Sequence, residues 1–133
     1  VMIGKTKDAG WEIGVSKTMP YPLAQVWDYL SGPGLAAWLG EVRLEPEKGA
    51  PYETAEGTVG EVRGYREQEK IRLTWRPKDW DHESTVQVGL RPAGPDKTVV
   101  VFHQERLAGP EERAAQREHW QAVMKLVADG LAC

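Results

Sequence analysis

The chain has 133 residues, 41% hydrophobic and 28% charged, the make-up of one globular domain with a single core. Seventeen basic and twenty acidic residues leave a formal net charge of −3, which excludes a general nucleic-acid binder, because neutralising phosphates needs a basic footprint. The longest apolar run is the five residues 35–39, against the roughly 20 a spanning helix needs, so no membrane span is expected.

Residues 1–10 read as a polar lead-in. Residues 11–18 alternate, with Trp11, Ile13 and Val15 on one side and Glu12, Gly14 and Ser16 on the other, and predict a half-buried strand that Pro20 ends. Pro22 suits a first helical turn, and Leu23, Val26, Trp27 and Leu30 then follow at helical spacing. Ser31-Gly32-Pro33-Gly34 breaks that helix, and residues 35–39 predict a second short one closed by Gly40.

The middle of the chain predicts strands joined by turns. A short, weak strand is expected over 42–45 and another over 51–54, with 58–65 returning across the turn at 55–57. Residues 70–76 alternate, Ile71, Leu73 and Trp75 against Arg72, Thr74 and Arg76. Residues 84–91 alternate again around Val86, Val88 and Leu90, 92–97 read as a turn, and 98–106 as the last strand. Gly109-Pro110-Glu111-Glu112 then starts a long helix, with Pro in the first turn and acids at the positive dipole end. Its apolar stripe is Trp120, Val123, Met124, Val127 and Leu131. Over 110–132 it is about 34 Å long at about 1.5 Å per residue, so it must lie across the sheet. The turns are too short for crossover helices, so the sheet is expected to be antiparallel, with one face on the helix and one in water. The predicted class is α+β.

The chain opens on Val1 without a recognisable signal peptide, which leaves room for a leader or an upstream segment already removed. The single cysteine, Cys133, excludes an internal disulfide framework and a cysteine-rich zinc site, and fits a cytoplasmic location. Six tryptophans accompany one phenylalanine, so the core, or a pocket, is built from indoles.

The order strand, two short helices, about six strands, long helix resembles the helix-grip fold of the START-like (SRPBCC, birch-pollen-allergen-like) superfamily. Within it the chain resembles the homologues of the activator of the ninety-kilodalton heat-shock chaperone ATPase, over about residues 11–132. The carriers are Val26-Trp27, Trp38-Leu39-Gly40, Gly60-Glu61-Val62, Leu73-Thr74-Trp75, Ser84-Thr85-Val86, Gln104-Glu105-Arg106-Leu107 and His119-Trp120. The resemblance implies a curved antiparallel sheet of about six or seven strands wrapped around the last helix, and a cavity between them. It also places Val100, Phe102 and Gln104 inward. The chaperone activator carries a separate amino-terminal domain, and these residues hold nothing of that size, so chaperone activation is not expected of this chain alone.

No nucleophile elbow, phosphate loop or dinucleotide fingerprint occurs. Asp79, Asp81, His82 and Glu83 crowd one loop, but their spacing matches no metal loop and reads as a solvated acidic turn. His119 reads as a surface or boundary residue, with a general-base role as the sharper alternative. No cofactor, metal or catalytic residue is assigned. Gly60 and Gly64 beside Val62, with Gly14 and Gly89 in other strands, suggest open space over the sheet. The expected ligand-lining set is Trp38, Val62, Trp75, Val86, Val88, Phe102, Trp120 and Met124, with Gln104 as either a ligand-orienting amide or a structural hydrogen bond. Lys17 is expected near the mouth or snorkelling to water, and Glu105 with Arg106 as a rim ion pair. The leading expectation is a module that binds a small apolar or amphipathic molecule. An enzyme of the cyclase, hydratase or isomerase kind ranks second and a chaperone-interacting domain third.

Overall fold

Chain order is β1 (Lys5–Thr6), β2 (Gly10–Met19), α1 (Leu23–Ser31), α2 (Leu35–Trp38), β3 (Pro51–Glu53), β4 (Val59–Arg66), β5 (Lys70–Trp75), β6 (Ser84–Gly94), β7 (Lys97–Leu107) and α3 (Pro110–Ala132). The computed structural model describes residues 5–6 and 10–132. Most of the expected lead-in, and Cys133, lie outside the described residues, but Lys5–Thr6 pairs with β2 and extends the sheet.

The strands form one antiparallel sheet in the order β1-β2-β7-β6-β5-β4-β3. The two ends of the strand run therefore meet: β2 pairs with β7, Lys17 opposite Val100 and Val15 opposite Phe102. One face is apolar. Ile71, Leu73, Val86, Val88, Val100 and Phe102 are buried there at period two. The stripe of α3, Trp120, Val123, Met124, Val127 and Leu131, is buried as well. This is the helix-grip α+β arrangement, with α3 lying against β2, β7 and α2.

Helix α3 begins where the sequence places it. Glu112, in its first turn, accepts the Ala108 N–H at 2.9 Å, and Arg113 Nε donates to the Glu12 carbonyl at 2.7 Å, tying the helix start to β2. Two strand boundaries differ from expectation. Residues 42–45 form no strand: Val42 and Leu44 pack against the core from an irregular segment that ends at Pro46, which has no N–H for a ladder. Residues 92–94 are strand rather than turn. Pro92 is accommodated because the β6–β7 register shifts between Pro92 and Gly94, leaving only Pro95-Asp96 as the turn.

The glycines do not open space between the sheet and α3: Gly14 and Gly64 face His103 and Arg72 on the outer side. At Gly60 an added Cβ would fall on the Thr74 carbonyl oxygen and within 2.7 Å of Tyr52 Oη, so this glycine permits a close approach. Gly89 lies on the solvent-facing side between the buried Val88 and Leu90, and a Cβ there would meet nothing within 4 Å. Gly89→Ala is therefore expected to raise the urea midpoint, with a gain of about 0.5–1 kcal/mol from reduced unfolded-chain entropy. A loss of stability would show that the backbone there needs glycine.

Candidate functional site

The grip is occupied by stacked rings. Phe102 stacks on Trp120 with centroids 5.1 Å apart and planes at 16°, Trp38 lies 6.1 Å from Phe102, and Trp75 lies 6.0 Å from Trp120. A hydrogen-bond chain threads the same interface. Trp120 Nε1 donates to Gln104 Oε1 at 2.8 Å, Gln104 Nε2 to Ser84 Oγ at 2.8 Å, and Ser84 Oγ to the Trp75 carbonyl at 2.9 Å. An indole nitrogen only donates, so the Gln104 amide must present its oxygen to Trp120 and its NH2 to Ser84. Gln104 is fully buried with both ends satisfied, which is the structural alternative of the two expected for it.

Of the nine residues expected to line a ligand site, Val62, Val86, Val88, Phe102, Gln104 and Trp120 are thus sealed in the core. Met124 reaches a shallow hollow of about 410 Å³ with Val15, Lys17 and Lys125, where Lys17 is exposed. Trp38 and Trp75 come together at a different place. They line an open cleft of about 230 Å³ at the end of the grip, between α2, the 56–58 turn and α3, whose other walls include Ala36, Gly40, Glu56 and His119.

Each wall has a local cause. Trp38 is pinned by its indole N–H, which donates to the Leu30 carbonyl at 2.8 Å. Gly40 ends α2 with φ +134° and leaves room for Glu56, whose Oε2 would lie 3.0 Å from a Cβ there. Trp75 ends β5 with its ring in the core, 6% exposed, and its Nε1 finds no acceptor among the described residues. His119 stands one residue before Trp120 on α3 and sets its ring 5.9 Å from Trp75. Although His119 is exposed as a residue, desolvation of its ring against Trp75 and Trp120 lowers its pKa from the usual 6.5, which favours the neutral form that can either donate or accept. Sequence reasoning named His119 as a boundary residue and missed Glu56, which carries no signal beyond a turn composition.

The β5–β6 loop flanks this cleft. Trp80 meets Trp75 edge-on at 5.3 Å, and His82 stacks on Trp80 at 4.8 Å. His82 Nε2 pairs with the Glu112 carboxylate of α3 at 3.0 Å, so the loop is tethered to the helix. The Glu112 hydrogen bond holds His82 above its usual value of 6.5, and burial opposes it more weakly. A raised folded value means the pair's contribution is complete below pH 6.5 and is lost as pH rises through the higher folded value. Urea midpoints should fall from about pH 6.5 to about pH 8.5 and Glu112→Gln should flatten the fall, while below that window the lowered His119 acts in the opposite sense. A slope that survives Glu112→Gln would assign it elsewhere.

A hollow of about 730 Å³ lies on the opposite face of the sheet and is polar. Its three arginines are each matched to a glutamate: Arg63 to Glu61 at 2.8 Å, Arg72 to Glu105, and Arg106 to Glu83 at 3.8 Å. The expected Glu105–Arg106 pair is therefore replaced by two others. Arg106 takes φ 64° where the β2–β7 register shifts, which turns the two neighbours to separate partners. Among the described residues no group of three or more acidic, His or Cys side chains gathers as a metal site, and no helix is long and apolar enough to cross a membrane.

The fold has many solved counterparts. A protein from Mesorhizobium loti is 21% identical with a TM-score of 0.72, covering 89% of this chain and 94% of its own. An HSP90 activator from Plasmodium falciparum is 15% identical with a TM-score of 0.69, over 84% and 88% of the two chains. A START superfamily protein from Mycobacterium smegmatis is 12% identical with a TM-score of 0.70, over 91% and 97%. At these identities the likeness is one of fold. No curated protein matches the chain at a significant level. The family model for Activator of Hsp90 ATPase homolog 1-like protein matches residues 20–131, nearly the whole helix-grip unit, and the chain belongs to that family.

Proposed function

We propose that the domain binds a small apolar or amphipathic molecule in the cleft between α2, the 56–58 turn and α3. The observation that carries this reading is the wall itself. Two indoles, Trp38 and Trp75, face one opening with a neutral imidazole and a carboxylate at its rim, and one of the indoles has an unsatisfied N–H. Ligand sites pair apolar walls with a few polar groups in this way, although about 230 Å³ is below the common range of about 300–1,000 Å³. The occupant is accordingly small, a single ring or a short chain. The sealed rings behind it, Phe102 and Trp120, hold the wall rigid.

Titration of small arenes, ketones and short-chain alcohols while following tryptophan emission tests this. A saturable change that Ala36→Trp abolishes is expected, because an indole on the exposed Ala36 fills the opening from α2. An unsaturable response to every compound, or one unchanged in Ala36→Trp, would end the proposal.

Family membership favours a second reading, docking to a chaperone through the surface of the domain. Stimulation of a ninety-kilodalton heat-shock chaperone ATPase by the purified chain would support it, and no stimulation at saturating protein would remove it.

A further inference from the structure

The three core indoles at the grip are not equivalent. Trp38 donates to the Leu30 carbonyl and Trp120 to the Gln104 amide, each at 2.8 Å. Trp75 is also buried, and its N–H donates to nothing among the described residues. A buried donor left unpaired costs about 1–3 kcal/mol, so such a group calls for an explanation. Its ring lines the cleft, and its carbonyl is already engaged by Ser84, which fixes the strand end that carries it.

Nothing else in the cleft would bind an anion. Glu56 is the one carboxylate or ammonium among its lining residues, and the lowered pKa of His119 disfavours a positive charge there. A carboxylate or phosphate ligand would meet the like charge of the exposed Glu56 at the rim with no cation to offset it, and be disfavoured. The wall opposite α3 carries only small side chains at Ala36 and Ala37 of α2 and at Gly40 just after it, beside Trp38 and Trp75. Trp38 and Trp75 are 3% and 6% exposed, so they offer the opening narrow apolar edges rather than free faces, and one small flat ring can pack against those edges.

We propose, building on the ligand-binding reading, that the cleft selects small uncharged planar molecules carrying a hydrogen-bond acceptor, such as an aryl carbonyl, and that Trp75 Nε1–H is the donor that recognises the acceptor. The N–H has no exposed surface of its own, so binding requires a ring packed against Trp75 to shift and admit the acceptor. Two of the rings against Trp75 are not themselves fully buried: Trp80, edge-on at 5.3 Å and partly buried, and His119, at 5.9 Å and exposed on α3. Trp120 cannot serve, since Gln104 holds it.

The test uses acetophenone and ethylbenzene, which share a ring and differ in the carbonyl, on the full chain and on Trp75→Phe, which keeps an aromatic wall without the N–H. The acetophenone-to-ethylbenzene affinity ratio is expected to be about threefold to tenfold higher in the parent chain than in Trp75→Phe, the range of one net hydrogen bond. In the parent chain alone, acetophenone should move the Trp75 indole N–H resonance downfield while ethylbenzene does not, which keeps the test valid if Trp75→Phe fails to fold. Benzoate, a better acceptor with a charge, should bind more weakly than acetophenone. If the ratio is equal in both proteins, or the indole resonance stays still at saturation, the inference is overturned while ligand binding stands. If neither arene binds the parent chain, the ligand-binding reading falls with it.

Discussion

Gln104→Ala is expected to destabilise the domain by about 3–5 kcal/mol, read from urea unfolding midpoints at constant slope. Two costs combine. Truncation leaves a cavity under α3, and it strips Trp120 Nε1 of its acceptor in a site with no access to water. Ser84 keeps its own bond to the Trp75 carbonyl, so the damage centres on Trp120. Gln104→Leu separates the terms: it restores most of the volume, and the remaining loss of about 1–3 kcal/mol measures the unpaired N–H. A Gln104→Ala loss below about 1 kcal/mol would mean that the rings close over the gap, and that the hydrogen-bond chain does not hold helix to sheet.

Gly60→Ala is expected to cost about 3 kcal/mol or more, and to do so through the backbone. The new methyl has nowhere to go. The Thr74 carbonyl occupies its position, and that carbonyl is itself fixed by the Tyr52 hydroxyl at 2.6 Å. Relief requires β4 to separate from β5, which would also strain the Glu61 N–H bond to Thr74 Oγ1 at 2.8 Å. Burial holds the Tyr52 hydroxyl far above the usual phenol range, so it stays a donor at every pH where the fold survives. Tyr52→Phe in the Gly60→Ala background should recover little, because the methyl still meets the carbonyl. Substantial recovery would place the clash on the tyrosine instead. The contrast with Gly89→Ala, expected to stabilise, separates a glycine the packing demands from one it merely tolerates.

Much of the frame was readable from periodicity. The long helix over 110–132 carried a proline, two acids and a five-residue apolar stripe, and all of these act locally. The clean alternation of 70–76 and 84–91 likewise announced strands with one buried face. Residues 42–45 read as a strand because Val42 and Leu44 alternate with charged neighbours, yet no adjacent segment offers them a ladder. Pairing is non-local, so a single segment cannot report it. Pro92 misled in the other direction: a register shift, which depends on the partner strand, lets a proline sit inside β6.

The candidate site divides the same way. The amino-acid sequence alone determined that indoles would meet between the sheet and the last helix, since Trp75 and Trp120 each fall on the apolar face of a periodic element. Only the tertiary structure decided whether they would surround space or fill it. That outcome depends on ring volumes, stacking distances and the Gln104 bridge, which arise when β5, β6, β7 and α3 converge. The rings fill the grip, and the cleft lies at its end, where α2, a turn glutamate and His119 are brought together from segments some 20 to 80 residues apart. No periodicity encodes such a meeting, because it is a property of how finished elements pack.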